Sequence, residues 1–390
     1  MEIGIFSLTW QHLLMLCIGG LLIYLGSGKK WEPLLLIPIG FGVILVNLPL
    51  GSSVMGFQMP DGTMLNYLPP NWSELIAQGG SPVGFLSRIF QYGFGWGIIP
   101  LSIFIGLGAM TDFGPLIARP VYFLLGAAAQ LGVYCAFFLA IALGMSIPEA
   151  ASIGIIGGAD GPTTIYITQL LAPSLLGATA IAAYTYMAMV PLIQPPIIRA
   201  MCSQKERAIY MKPQIREVSH LEKILFPVMV TIIVVVFVPE AGPLIGMFMF
   251  GNLLKESGVT DRLANTAGTV FIDILTIFLG LCVGAYMAAT SFLQPASLMV
   301  FGIGILAFVI ATAGGVIFGK ILNAVSATPI NPMIGAAGVS AVPMSARVVQ
   351  KMGQKANPRN FLLMHAMGPN VAGVIGTATA AGAFISLLTH

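Results

Sequence analysis

Asp160, in the run Gly157-Gly158-Ala159-Asp160-Gly161-Pro162-Thr163-Thr164, is the residue of this 390-residue chain whose type and setting speak most directly of chemistry. A carboxylate at mid-bilayer depth costs about 2.5–3.5 kcal/mol on insertion scales, so it must have partners or a use. Gly161 permits a turn, and Pro162 suits the first residue of a following half-helix, where its missing N–H costs nothing. Unpaired carbonyls and the carboxylate would then present hard oxygen ligands of the kind a small cation prefers. The structural alternative is a carboxylate that only caps the N-terminus of that half-helix.

A second run, Asn331-Pro332-Met333-Ile334-Gly335-Ala336-Ala337-Gly338-Val339-Ser340-Ala341-Val342-Pro343, offers Ser340 three residues before Pro343, with Asn331 and Thr328 as further oxygen donors upstream. Taken alone, each is equally well explained as hydrogen-bonding glue between helices. Arg347, seven residues after Ser340, can project toward the same cleft. There it could pair with Asp160 or hold an anion, unless it is an inside-facing topology charge. Tyr186 brings a hydroxyl to the span after the first run, or packs as an ordinary or interfacial aromatic. Asp112 reads as a helix cap close to Arg119, and Asp273 as a more isolated second candidate for an ion path.

The elements that must position these residues are membrane helices. The chain is 57% hydrophobic and only 8% charged, which excludes a soluble enzyme, where charged residues make up about 25%. Spans of about 20 residues are predicted near 10–28, 33–50, 97–117, 121–145, 175–198, 224–241, 268–290, 297–319 and 361–388, with a partial span at 243–254. The stretch 51–96 is too polar to cross and reads as an interfacial excursion closing an N-terminal two-span unit, 1–96. The remainder divides into 97–223, with a broken segment at 148–170, and 224–390, with one at 321–346. Each broken segment lies between two spans, so 121–198 and 297–388 form an internal repeat. Lys29 and Lys30, the loop Arg199–Lys223 and the stretch Arg347–Arg359 should face the cytoplasm. The first break is then entered from outside and the second from the cytoplasm, the sense required of inverted repeats.

Other signals are weak. The net charge of +3 is dispersed over loops, with no nucleic-acid-sized patch. Cys17, Cys135, Cys202 and Cys282 have no metal-ligand spacing and read as small apolar residues, the first apolar stretch reads as a retained span, and no hydrolase motif is present.

The two runs, together with Gly108-Ala109-Met110-Thr111-Asp112-Phe113-Gly114-Pro115, closely resemble the beta subunit of the biotin-dependent sodium-pumping decarboxylases, over most of the chain from about Trp96 onward. The resemblance implies a scaffold with a mobile, elevator-like core, set in a bacterial or archaeal cytoplasmic membrane. It implies that carboxybiotin, delivered by a biotin-carrying carboxyltransferase alpha subunit, is decarboxylated with consumption of a proton and export of Na+. Carried over by position, Asp160 becomes a sodium-site carboxylate and Ser340 a second cation or proton site. Asn331 and Gly335 would shape that site, Tyr186 would serve proton delivery, and Arg347 would hold the carboxybiotin carboxylate. A small gamma-type membrane subunit and a beta homo-oligomer are further expected partners, and the choice of carboxylic acid falls to the alpha subunit. The competing reading is a stand-alone sodium-coupled carboxylate carrier or sodium/proton antiporter, because opposed broken helices with an acidic residue describe those proteins too.

Overall fold

Long apolar stretches in lipid must satisfy their backbone groups internally, and this chain does so almost wholly with helices. The structure is a computed structural model that describes residues 8–49, 53–69, 71–212 and 216–389. The end of the span expected at 33–50, and small parts of the 51–96 stretch and of the Arg199–Lys223 loop, lie outside the described residues.

Helices α1 (Trp10–Ser27) and α2 (Pro33–Asn47) open the chain as an adjacent pair. Three two-residue strands follow, β1 (Phe57–Gln58), β2 (Met64–Leu65) and β3 (Ser81–Pro82), in the antiparallel order β2-β1-β3, with α3 (Trp72–Ala77) between β2 and β3 in sequence. Then come α4 (Phe85–Ile89) and its π-helical continuation Phe90–Phe94, which meets α5 (Ile98–Met110) at a 65° bend. Short α6 (Gly114–Ala118) leads into α7 (Tyr122–Ala129) and α8 (Leu131–Ala142), which together make one span. The first interrupted segment is α9 (Ile147–Ile155), a 3-10 turn at Ile156–Gly158, and α10 (Gly161–Leu171). Helix α11 (Leu176–Met201) and short α12 (Gln204–Arg207) complete the first half.

The second half holds α13 (His220–Phe237), α14 (Gly242–Glu256), and α15 (Asp261–Thr266), which runs through a π-turn at Ala267–Phe271 into α16 (Ile272–Ala285). After α17 (Ala289–Phe292) and α18 (Pro295–Val325) comes the second interrupted segment, a 3-10 arm Pro332–Gly338 followed by α19 (Met344–Ala356), and then α20 (Leu363–Thr389). Among the described residues seven helices are long and apolar enough to cross a membrane, or eight if the bent pair is one span. The protein is therefore an all-α polytopic membrane protein. Within the stretch 51–96, the segment Phe85–Phe94 is helical and, taken together with Ile98–Met110, is long and apolar enough to cross a membrane.

Between membrane helices, small residues bring backbones close enough to pack where burial from water supplies no drive. A Cβ at Gly284 would lie 2.0 Å from the Ile39 carbonyl oxygen, and one at Gly108 1.9 Å from that of Phe248, so α16 meets α2, and α5 meets α14, backbone to backbone. Asn47 then ties α2 to the turn after α16: Nδ2 donates to the carbonyls of Val43 (2.9 Å) and Met287 (2.8 Å), and Oδ1 accepts from the amide of Ala289 (2.8 Å). Replacing Asn47 with Leu strands a buried carbonyl and a buried N–H at a cost of about 1–3 kcal/mol each. Asn47→Leu should therefore lower the thermal midpoint of the detergent-solubilised protein clearly below wild type; an unchanged midpoint would show that water replaces the side chain.

Polar contacts gather the basic loops at one end of the bundle. Arg216 pairs with Glu222 (2.6 Å) and donates to the Ile117 carbonyl (3.4 Å), Lys223 lies 3.5 Å from Glu256, and Lys320 pairs with Glu206 (3.0 Å). These ion pairs are partly exposed and add little stability, but they fix which ends lie together. The span α7–α8 starts beside α6 at this basic end, so α9, which follows it, begins at the opposite end. The second interrupted segment follows the Lys320 end of α18 and so begins at the basic end. The two breaks thus approach from opposite ends.

Candidate ion site between the two interrupted segments

The first break ends on Ala159, whose φ of 57° places a non-glycine residue in the left-handed region, a strain of roughly 1–2 kcal/mol that directs the chain into α10. Asp160 is the N-cap of α10: Oδ1 accepts from the Thr163 amide (3.1 Å), while the Thr164 hydroxyl donates to the Asp160 carbonyl (2.7 Å). Its second carboxylate oxygen, Oδ2, is buried without a partner, and the residue is only 4% exposed. The capping role and a free oxygen therefore coexist in one side chain.

The second break touches the first directly. The Ser340 amide donates to the Gly158 carbonyl (2.8 Å), and the Ser340 hydroxyl shares a 2.8 Å hydrogen bond with that of Thr377 on α20. Thr377 donates in turn to Gln130 Oε1 (3.2 Å), which locks both breaks to the α7–α8 span. Asp160 and Ser340 line a common cavity of about 320 Å³, walled on its far side by Glu32, Thr111, Asp273 and Thr276. Two other buried oxygens lack partners: Thr163 Oγ1, three residues after Asp160, and Oδ1 of Asn370 on α20, whose Nδ2 donates to the Val339 carbonyl (2.7 Å) one residue before Ser340. The polar groups of the cavity lining are carboxylates, hydroxyls and backbone groups, whose oxygens suit a hard cation; among the described residues no group of three His, Cys, Asp or Glu side chains comes together.

The other expected site residues fall in different places. Arg347 lies in the first turn of α19, exposed and outside the cavity lining, and its charge is felt by Glu32, which lines it. Burial raises the Glu32 carboxyl above its ordinary value and the Arg347 guanidinium opposes the rise. Asn331 does not reach the cavity: Oδ1 accepts from the Met333 amide (3.1 Å) and Nδ2 donates to the carbonyls of Arg207 (3.0 Å) and Ile209 (2.9 Å), so its amide caps the 3-10 arm and anchors it to the basic end. Gly335 is a packing position, because a Cβ there would lie 1.9 Å from the Gly315 carbonyl oxygen of α18. The Tyr186 hydroxyl donates to the Phe301 carbonyl and turns away from the cavity; Tyr184, two residues earlier, packs against Gly161 and lines it instead. Asp112 lies one residue before the N-cap Phe113 of α6 and accepts from the Gly114 amide (2.8 Å), a turn contact at the helix start and not the cap itself.

Sequence reading missed Glu32, Thr163, Gln130, Asn370 and Thr377. Asn370 carried a signal, since Pro369-Asn370 interrupts an apolar span much as Gly161-Pro162 does. Single hydroxyls and amides inside apolar helices carry none.

A polytopic helical protein in which two opposed breaks share a cavity with a free carboxylate oxygen has the build of an ion-translocating membrane protein. The chain matches, over residues 11–388, the family described as Na+-transporting oxaloacetate decarboxylase beta subunit. It is 52% identical to the methylmalonyl-CoA decarboxylase subunit beta of Propionigenium modestum, over 98% of this chain and 96% of that protein. It is 48% identical to a probable oxaloacetate decarboxylase beta chain of Vibrio cholerae (98% and 97% covered) and 50% identical to the methylmalonyl-CoA decarboxylase subunit beta of Veillonella parvula (99% and 96%). The chain belongs to this family of beta subunits: it is a membrane subunit of a sodium-pumping decarboxylase. Family membership sets the stand-alone carrier aside.

Proposed function

We propose that the chain decarboxylates carboxybiotin brought by a biotin-carrying carboxyltransferase alpha subunit and couples this step to Na+ export across the cytoplasmic membrane of a bacterium or archaeon. A small gamma-type subunit and further copies of this chain complete the assembly in this reading. The observation that carries it is the junction of the two breaks, where the Ser340 amide bonds the Gly158 carbonyl at the wall of the cavity holding the free oxygen of Asp160.

Sodium, the cargo, enters that cavity from the basic, cytoplasmic end and is held by Asp160 and Ser340. Asn331 and Gly335 act on this site at one remove, by fixing the 3-10 arm that carries Ser340. Carboxybiotin docks by its carboxylate on Arg347, where a planar guanidinium can take both oxygens. The bond from the carboxyl carbon to the biotin ureido nitrogen breaks, CO2 leaves, and the electron pair left on nitrogen takes up a proton. Tyr186 delivers that proton only after its hydroxyl turns off the Phe301 carbonyl. The anion at Arg347 disappears with CO2, and the core formed by the repeat, α7–α11 with α18–α20, then moves as a rigid body against the scaffold that includes α2, α5, α14 and α16, opening Asp160 outward. The N-terminal unit 1–96 and the halves 97–223 and 224–390 contribute to both parts.

Arg347→Gln removes the charge and keeps the length. It should lower carboxybiotin decarboxylation at least about a hundredfold, chiefly through KM, while Arg347→Lys retains a point charge and recovers part of the loss. Steady-state kinetics with free carboxybiotin check this, and a KM unchanged in Arg347→Gln would remove Arg347 from the docking site.

A further inference from the structure

The cavity wall facing Asp160 carries an ordered set of polar side chains that the coupling scheme above does not use. Asp261, Asn265, Thr269 and Asp273 recur every four residues along α15, the π-turn and α16, and Thr276 follows three residues later. At 3.6 residues per turn, positions four apart drift by roughly 40° per step, so the three such steps from Asp261 to Asp273 would wind a stripe off one face. The π-turn at Ala267–Phe271 widens the helix where the stripe passes through it and reduces that drift. The rest of the deeper face is apolar, with Ile272 and Leu279 lining the inner cavity beside the polar positions.

Two adjoining cavities follow this stripe. An outer one of about 310 Å³ at the basic end is lined by Asp261, Asn265 and Thr269; the inner one, which contains Asp160, is lined by Thr269, Asp273 and Thr276, and both include Met110 and Gly268. The hydroxyl protons of Thr269 and Thr276 are donated to the carbonyls of Asn265 and Ile272, so what these threonines offer the cavity is oxygen lone pairs. Together with the Asp261 and Asp273 carboxylates, that lining favours cations. Lys255, the cation at the outer cavity, is engaged by the Thr111 carbonyl (2.9 Å) and lies 3.5 Å from Glu256. At the inner end waits the Asp160 oxygen, buried and unpartnered.

We infer that this face is the route by which sodium reaches Asp160 from the basic end, with Asp273, flanked by the Thr269 and Thr276 hydroxyls, a transient cation site on the way. The inference rests on Asp160 as the terminal site, and it gives the pump a cytoplasmic path built on the scaffold rather than on the core. Replacing Asp273 by Asn should raise the sodium concentration for half-maximal decarboxylation by the purified complex about tenfold, and Asp273→Glu should bring it back most of the way. An unchanged sodium dependence, or a shifted pH profile with an unchanged sodium dependence, would overturn the route, the latter outcome making it a proton path.

If Asp273→Asn fails to assemble, cysteine accessibility decides. With the four native cysteines replaced by Ala, Thr276→Cys should react with a cationic methanethiosulfonate applied at the basic end, more slowly in sodium, while Ile274→Cys, two residues away and so on the opposite face of α16, should not. No reaction at Thr276→Cys would overturn the inference. Failure of the underlying reading looks different, because full coupling in Asp160→Asn would remove the terminal site and leave the labelling of Thr276→Cys intact.

Discussion

Asp160→Asn is expected to abolish sodium-coupled decarboxylation, by a hundredfold or more on the scale of removing the one charge that compensates a buried cation, while leaving the protein folded and assembled. The separation follows from the two oxygens of this side chain. Oδ1 caps α10 through the Thr163 amide, and an Asn side chain caps as well as Asp does. Oδ2, buried and without a partner, is the oxygen left for a cation, and in Asn its place passes to an uncharged amide that cannot balance Na+. Asp160→Ala removes both functions. It should lose the same activity and about 1 kcal/mol of stability besides, seen as a lower thermal midpoint than that of Asp160→Asn. Equal midpoints would mean that the cap contributes nothing, and retained transport in Asp160→Asn would mean that the free oxygen is not the cation's.

The second large effect is expected at Gly335 and Gly315 together. A Cβ on Gly335 would lie 1.9 Å from the Gly315 carbonyl oxygen, and one on Gly315 2.0 Å from the Gly335 carbonyl oxygen, against an ordinary separation of about 3.5 Å. Both neighbours are backbone, so neither clash is relieved by a rotamer change. Alanine at either position must push the 3-10 arm off α18. The arm is also held by Gln194, whose Nε2 donates to the Ala336 carbonyl (2.8 Å), and it ends two residues before Ser340. Overpacking of this kind costs about 1–3 kcal/mol, and here the displacement is delivered to the junction with Gly158. Gly315→Ala, on a helix that does not line the Asp160 cavity, should therefore impair sodium-dependent turnover about as severely as Gly335→Ala, and the double variant should be little worse than either. If Gly315→Ala were silent while Gly335→Ala was not, Gly335 would act by contact with the cargo and not by placing the arm.

Much of this was legible in the chain because membrane helices leave few alternatives. Glycine and proline inside an apolar stretch break it, and basic loops orient what remains, which is enough to find two breaks of opposite sense and the acid in the first. The helical register within a span was not legible. Tyr184 and Tyr186 sit two residues apart on α11, roughly 200° around the helix. Both are buried, so nothing in the composition tells which one faces the cavity, and it is Tyr184. Asn331 was assigned by resemblance to the cation, yet its amide is filled by backbone groups at the basic end, where no hydropathy pattern could place it. Glu32, beside Lys29 and Lys30, reads as an ordinary loop charge in sequence and becomes part of the cavity because α2 packs against α16, which lines it. The helical Phe85–Phe94 segment is not legible because Arg88 and the 65° bend divide the apolar length between two short helices.

Equilibrium binding of radiolabelled sodium to the purified complex, with no carboxyl donor present, bears most directly on the cavity between the breaks. Saturable binding to the wild type, its loss in Asp160→Asn and its weakening in Ser340→Ala are the expected results. Undiminished binding in Asp160→Asn would place the pumped cation elsewhere in the complex and contradict the site.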